Sequence, residues 1–166
     1  MKISNVVRGA VAGAIGGMAM AMWSMVALAA AGNGFSTPVN LIAHGVWDSA
    51  PLDGAFNGRA LAIGLGVHMA ISMMAGVSIA VGAALLGIRS VNATVGLAVG
   101  VGIVAWIVGI VAWRAIDRPA FDEFTPWVLA VGHVMFAMAA GLVLVVSQRI
   151  SKTKAATFEI VRPIAA

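Results

Sequence analysis

The hydrophobic residues of this chain fall in four long runs without a single charged side chain, and the charged residues are confined to the segments around them. Each run is about 23 to 29 residues long, and about 20 apolar residues are enough for a helix to cross the hydrocarbon core of a bilayer. We therefore predict four transmembrane helices, at about 7–31, 60–87, 91–114 and 125–147.

The composition leaves little of the chain for anything except these helices. Of the 166 residues, 61% are hydrophobic and 10% are charged, whereas a soluble domain is roughly half apolar and a quarter charged. We predict one all-α domain over 1–166, an integral membrane four-helix bundle with an external loop at 32–59 and a cytoplasmic tail at 148–166. The absence of cysteine excludes disulfides, thiolate metal sites and cysteine nucleophiles.

The net charge of +4 does not indicate a nucleic-acid partner, because the basic residues are sorted by membrane side. If the four helices alternate in direction, most basic residues share one side. They are Lys2, Arg8, Arg89, Arg149, Lys152, Lys154 and Arg162, against Arg59, Arg114 and Arg118 on the other side. Loops rich in Lys and Arg stay in the cytoplasm, so we predict that both termini are cytoplasmic and that the partner is the lipid bilayer.

The first helix carries glycines at a spacing of four residues. This spacing of Gly9, Gly13 and Gly17 lets another helix backbone approach closely. Gly96 and Gly100 repeat the spacing in the third helix, which we predict to be the partner. The first run also has the basic start and small residues of a secretory signal, but its apolar stretch exceeds the usual 7 to 15 or so residues, and we expect a retained helix.

The second and fourth helices resemble each other. Aligned at His68 and His133, they read HMAISMMAGVSIAVG and HVMFAMAAGLVLVV. Together with the glycines of the first and third helices, this match favours two tandem helical hairpins, related by a rough twofold axis along the membrane normal. The alternative is a chance match between segments made mostly of Ala, Gly and Val.

The first external loop contains a candidate helix of its own. Thr37 followed by Pro38 is typical of a helix start, a capping side chain and then a residue without an N–H group. The next residues have an apolar side with Trp47 and a polar side with Asn40 and His44. We predict a short interfacial helix that lies along the outer surface of the membrane.

Two histidines inside the apolar runs are the main candidates for chemistry. We expect His68 and His133 at similar depth, roughly 12 Å below the external end of each helix. Paired imidazoles in a helical bundle suit the axial positions of a b-type haem, and Arg59, Arg114 and Arg118 lie at the same end, where they can pair with haem propionates. The alternatives are another ligand, a proton-linked role, and structural histidines with hydrogen-bond partners inside the bundle.

Other candidate sites have weaker patterns. His44 and Asp48, four residues apart, can hold a cation such as zinc, or else bond to each other on one helix face. The methionine stripe Met18, Met22 and Met25 suits Cu(I), but methionine also fills apolar cores. No nucleophile elbow, phosphate loop or metalloprotease motif is present, and we predict that the protein is not an enzyme.

The segments GLGVHMAISMMAGVSIAVG and FDEFTPWVLAVGHVMFAMAAGLVL resemble the histidine-bearing helices of the small YagU-like inner-membrane proteins, over about the second half of the chain. The resemblance implies a bacterial inner-membrane location, and that family has no established activity. Many glycines beside few polar groups predict a non-enzymatic accessory or structural subunit, packed in a larger membrane complex or a homo-oligomer. The alternative is an electron-transfer subunit that binds haem b through His68 and His133.

Overall fold

The computed structural model describes residues 3–161, with the side chains of 151, 152 and 154–161 left out, and over that range it is all-helical. Lys2 and Arg162, two residues of the topology prediction, lie outside the described residues, as do the side chains of Lys152 and Lys154. The helices are α1 (Ile3–Ala30), α2 (Thr37–His44), α3 (Gly58–Leu85), α4 (Val91–Ile116), α5 (Arg118–Glu123) and α6 (Pro126–Val161).

Four of these helices are long and apolar enough to cross a membrane, which confirms the predicted four-helix membrane bundle. They are Ile3–Ala30, Gly58–Leu85, Val91–Ile116 and Pro126–Ile150. The architecture is therefore that of a multi-pass membrane protein. α6 also continues into the segment predicted as a tail and reaches Val161.

The segments that connect the long helices are short at one end of the bundle and long at the other. Between α3 and α4, Gly87 adopts a positive φ of 64°, a conformation that glycine accepts without steric cost. The Ser90 hydroxyl then accepts a hydrogen bond from the Ala93 N–H at 3.2 Å and caps α4. At the other end of the bundle lie the longer segments 31–57 and 117–125 with α2 and α5. We call this end the loop end, and the end with the short turn the turn end.

The long helices pair as two antiparallel hairpins, α1 with α3 and α4 with α6. α1 also packs closely against α6, whereas α3 and α4 make few contacts with each other. The two hairpins therefore follow the predicted tandem order. The predicted rough twofold axis would make the α3–α4 contact equivalent to the α1–α6 contact, and the two differ.

The glycine ladder of α1 packs against α3, so its predicted partner in α4 is wrong. A Cβ atom at Gly13 would lie 2.8 Å from the Met73 Cα, which means that the two backbones touch. α1 makes no contact with α4 over the described residues, and a Cβ atom at Gly96 or Gly100 would have no neighbour within 4 Å. The spacing of the glycines correctly identified a face of α1 that allows close approach. The residue that meets this face is Gly76 of α3, which belongs to neither predicted ladder.

The short helix predicted in the first loop is α2, and it is enclosed by protein. None of its residues is exposed, because it packs against α1, α3 and α5, and its Val39 carbonyl occupies the space that a side chain at Gly64 would fill. Ser36, not Thr37, is the N-cap residue. The Thr37 hydroxyl instead donates to the carbonyls of Asn33 and Gly34.

Candidate functional site

His68 joins two helices. It lies on α3, half-buried, and its Nε2–H donates to the Gly17 carbonyl of α1 at 2.9 Å. The approach is close because Gly17 has no side chain, and a Cβ atom there would lie 2.6 Å from the Ser72 Oγ. In a bilayer, such a bond between helices contributes about 1 kcal/mol. Sequence reasoning identified the residue and gave a hydrogen-bond partner inside the bundle as one alternative, and the partner is a carbonyl of α1.

His133 forms no hydrogen bond with His68 among the described residues. Its Nδ1–H donates at 2.8 Å to the Leu129 carbonyl, one turn earlier in the same helix. The backbone at His133 lies close to α4, since a Cβ atom at Gly102 would come within 3.0 Å of the His133 carbonyl oxygen. The two histidines thus donate to different carbonyls, His68 to one of α1 and His133 to one of its own helix.

The side chains proposed as haem ligands do not fit one shared haem. α1 lies between α3 and α6 at the level of the histidines, with Gly17 against α3 and Gly16 against the Phe136 ring, 2.8 Å from a Cβ position. The His68 Nε2 already donates to the Gly17 carbonyl, whereas the Nδ1 bond of His133 leaves its Nε2 free among the described residues. The cavity beside His68 holds only about 30 Å³.

The arginines proposed for the propionates have partners at the loop end. The Arg59 guanidinium lies 4.3 Å from the centroid of the Trp47 ring, a cation–π contact. Arg118 binds Asp122 one turn along α5, at 2.8 Å. Arg114 is exposed near the end of α4. Two of the three candidates are therefore engaged away from the histidines.

His44 does not pair with Asp48, as the spacing predicted, but with Asp117. His44 donates from Nδ1 to the Asp117 Oδ2 at 2.6 Å, and both side chains are largely buried, at 14% and 7% exposure. The other oxygen of Asp117 accepts from the Ala120 N–H at 3.1 Å and caps α5. Asp48 is exposed. Over the described residues, no group of three or more His, Cys, Asp or Glu side chains is arranged to hold a metal ion.

The methionine stripe of α1 does not converge on a copper site. Met18 and Met22 are half exposed on the outside of the bundle, at 51% and 50%, whereas Met25 is buried at 7%. The three side chains therefore do not share one site, and their arrangement is typical of methionines that pack as apolar side chains.

One face of α4 lacks a partner within the described chain. Thr94, Ala98 and Gly102 are the buried residues of this helix. The opposite side, which we call the α4 outer face, consists of Gly96, Gly100, Val104, Ile107 and Val111, all of them exposed. Its glycine half is flat because glycine has no side chain, and it is uncovered, since nothing lies within 4 Å of either glycine's Cβ position. Small residues at this spacing are typical of contacts between membrane helices.

Together, the fold and these positions define a class, the polytopic membrane proteins built as a four-helix bundle with few polar groups inside. Comparison with protein-family models, curated proteins and solved structures finds no match to this chain. The YagU-like resemblance therefore stays a prediction, and the function is argued from the residues.

Proposed function

We propose that the protein is a non-enzymatic accessory or structural subunit of the bacterial inner membrane, with both termini in the cytoplasm. It packs in a larger membrane complex or a homo-oligomer through the α4 outer face. The observation that carries this proposal is the contrast between the glycines of α1, which touch another backbone, and Gly96 and Gly100, which touch nothing in the described chain.

Helix energetics support a partner at this face. Glycine inside a helix costs about 1 kcal/mol relative to alanine. In α1 that cost is offset by dispersion contacts with α3, because glycine lets the backbones approach. Gly96 and Gly100 gain no such contact within the described residues. A helix from another subunit or a second copy would supply it, since lipid tails gain little from a glycine groove.

The charges support the proposed orientation. Arg8, Arg89 and Arg149 lie toward the turn end of the bundle, whereas Arg59, Arg114 and Arg118 lie at the loop end together with the acids Asp48, Asp53 and Glu123. The sequence carries four more basic residues near its two termini. A basic turn end facing the cytoplasm agrees with the positive-inside rule.

Disulfide crosslinking in native membranes tests the proposal, and the natural chain has no cysteine to interfere. We expect Val104→Cys, on the α4 outer face, to form a crosslinked adduct under mild oxidation. The adduct has twice the mass of the chain if the partner is a second copy, and another mass if it is a different subunit that carries a cysteine or accepts a bifunctional crosslinker.

The matched control is Met74→Cys on α3, which is 69% exposed and lies outside the α4 outer face. We expect little adduct from it, and we expect Gly100→Leu to remove the adduct of Val104→Cys, because leucine fills the flat surface. Equal crosslinking from both positions, or none from either with both reagents, contradicts the proposed use of this face.

A further inference from the structure

The first turn of α3 carries an arginine that is held in place by an aromatic ring. The Arg59 guanidinium lies 4.3 Å from the centroid of the Trp47 ring. Trp47 is itself fixed, because it packs against the buried cluster of Ala43, Ala50 and Ala60. The arginine side chain is therefore positioned before a ligand arrives, which lowers the entropy cost of binding.

The guanidinium of Arg59 keeps its hydrogen-bond donors available. A cation–π contact uses the charge of the group over the ring face and no N–H donor. Carboxylates lie at the same end of the bundle, Asp48 and Asp53 among them, yet none forms an ion pair with Arg59 over the described residues. By contrast, Arg118 binds Asp122. Arg59 is exposed, so an anion from outside the chain can reach it and accept its N–H groups.

The depth of Arg59 in the membrane indicates which anion this is. α3 has 28 residues, so it is about 42 Å long at about 1.5 Å per residue. The hydrocarbon core of a bilayer is about 30 Å thick, and the bilayer measures about 40–45 Å with its headgroups. Even at the usual tilt of about 20°, the ends of α3 therefore reach the headgroup layers. Arg59, the second residue of α3, lies at the depth of the lipid phosphates.

An exposed aromatic side chain precedes this arginine on a fixed loop. Phe56, three residues before Arg59, is 78% exposed. Its loop is pinned from below, because the Asn40 Nδ2 donates to the carbonyls of Asp53 at 2.8 Å and Ala55 at 2.9 Å. An apolar side chain at this depth matches the glycerol and upper acyl chain of a lipid. A free inorganic anion would gain nothing from it, so the favoured ligand is a phospholipid.

We propose that the loop-end start of α3 binds the headgroup of one phospholipid from the surrounding leaflet. The Arg59 guanidinium donates to the phosphate oxygens, and Phe56 lies against the glycerol and the upper acyl chain. This inference goes beyond the proposed packing function, because it uses no residue of the α4 outer face and does not require a partner subunit.

Native mass spectrometry of the full chain in a maltoside detergent tests it. The probe is dioleoylphosphatidylglycerol, and dioleoylglycerol is the lipid with the same chains and no phosphate. We expect the phospholipid to form a one-lipid complex, and neither dioleoylglycerol nor inorganic phosphate to bind. Arg59→Gln removes the charge at an exposed position, so the fold is retained, and we expect the dissociation constant of the first phospholipid to rise about tenfold. Phe56→Ser is the second variant, with an expected rise of about threefold.

Arg114→Gln is the matched control. It removes an exposed arginine from the last turn of α4, at the same end of the bundle, whose guanidinium makes no cation–π contact over the described residues. We expect its phospholipid affinity to equal that of the natural chain. The proposal is overturned if no one-lipid complex forms, if dioleoylglycerol or inorganic phosphate binds as well, if either site variant binds like the natural chain, or if Arg114→Gln weakens binding as much as Arg59→Gln does.

Discussion

The two hairpins carry similar sequence signals and use them in different ways. Between α1 and α3 the backbones touch at Gly13, and His68 donates a hydrogen bond from one helix to the other. Between α4 and α6 the contact runs through small side chains, with the Ala98 Cβ 3.3 Å from a Cβ position at Gly141. The bond of His133 stays within α6. The first hairpin is thus joined by backbones that touch, whereas the second combines small side chains with one looser backbone approach, between Gly102 and the His133 carbonyl.

The difference shows what a glycine ladder in a membrane helix does and does not specify. In both α1 and α4 the spacing of four makes one side of the helix flat. In α1 that side meets Gly76 of α3, where a Cβ atom would lie 2.5 Å from the Gly13 Cα. In α4 the flat side is left outside the bundle. A glycine ladder packs within the chain only if a neighbouring helix has a small residue at the same depth in the bundle, as α3 has in Gly76.

The largest change in unfolding free energy that we predict comes from adding one methyl group to a glycine ladder. The same substitution in each hairpin tests the comparison between them. Gly13→Ala places a Cβ 2.8 Å from the Met73 Cα, and overpacking against backbone should lower the free energy of unfolding by about 3 kcal/mol. Gly96→Ala meets nothing within the described chain and should raise it by up to about 1 kcal/mol through helix propensity. Titration of detergent-solubilised protein with SDS, followed by tryptophan fluorescence, measures both.

These opposite signs are the decisive result. If Gly13→Ala is as stable as the natural chain, the close backbone contact of α1 and α3 is not formed in solution. A marked loss of stability for Gly96→Ala in the monomer would mean that α4 packs its glycine side inward. The comparison of the two hairpins would then be reversed.

A second, smaller effect concerns the link between the hairpins at the loop end. His44 follows the first hairpin's α1 and Asp117 ends the second hairpin's α4, so their hydrogen bond joins the two. Asp117→Ala removes the α5 cap and leaves the largely buried His44 without its partner. We expect a loss of about 2 kcal/mol in unfolding free energy.

His44→Ala should give part of this loss, because the cap remains. Asp48→Ala, an exposed aspartate near His44 in sequence, should change the free energy of unfolding by less than about 0.5 kcal/mol. A larger effect of Asp48→Ala than of Asp117→Ala would restore the pair predicted from spacing and refute the one observed in the structure.

The sequence predicted the four spans well, because run length and the absence of charge are properties of each helix alone. It also predicted α2 from Thr37 and Pro38, although the hydroxyl of Thr37 serves the loop and not the cap. The sequence did not predict which residues bind each other across helices. The bond of His44 to Asp117 spans 73 positions, and no local pattern distinguishes that carboxylate from Asp48. Likewise, two histidines at equal depth gave no indication that α1 would lie between them.

The smallest effect that we predict separates the two histidines. His68→Leu removes a bond between helices and should cost about 1 kcal/mol of unfolding free energy, whereas His133→Leu removes a bond within one helix and should cost a few tenths. The same SDS titration compares them, and absorbance of the reduced protein should show no b-type band in either variant or in the natural chain. A reduced haem band lost in both variants, or equal costs, would mean that the histidines act as a pair, and the separation of the two hairpins at this level would have to be abandoned.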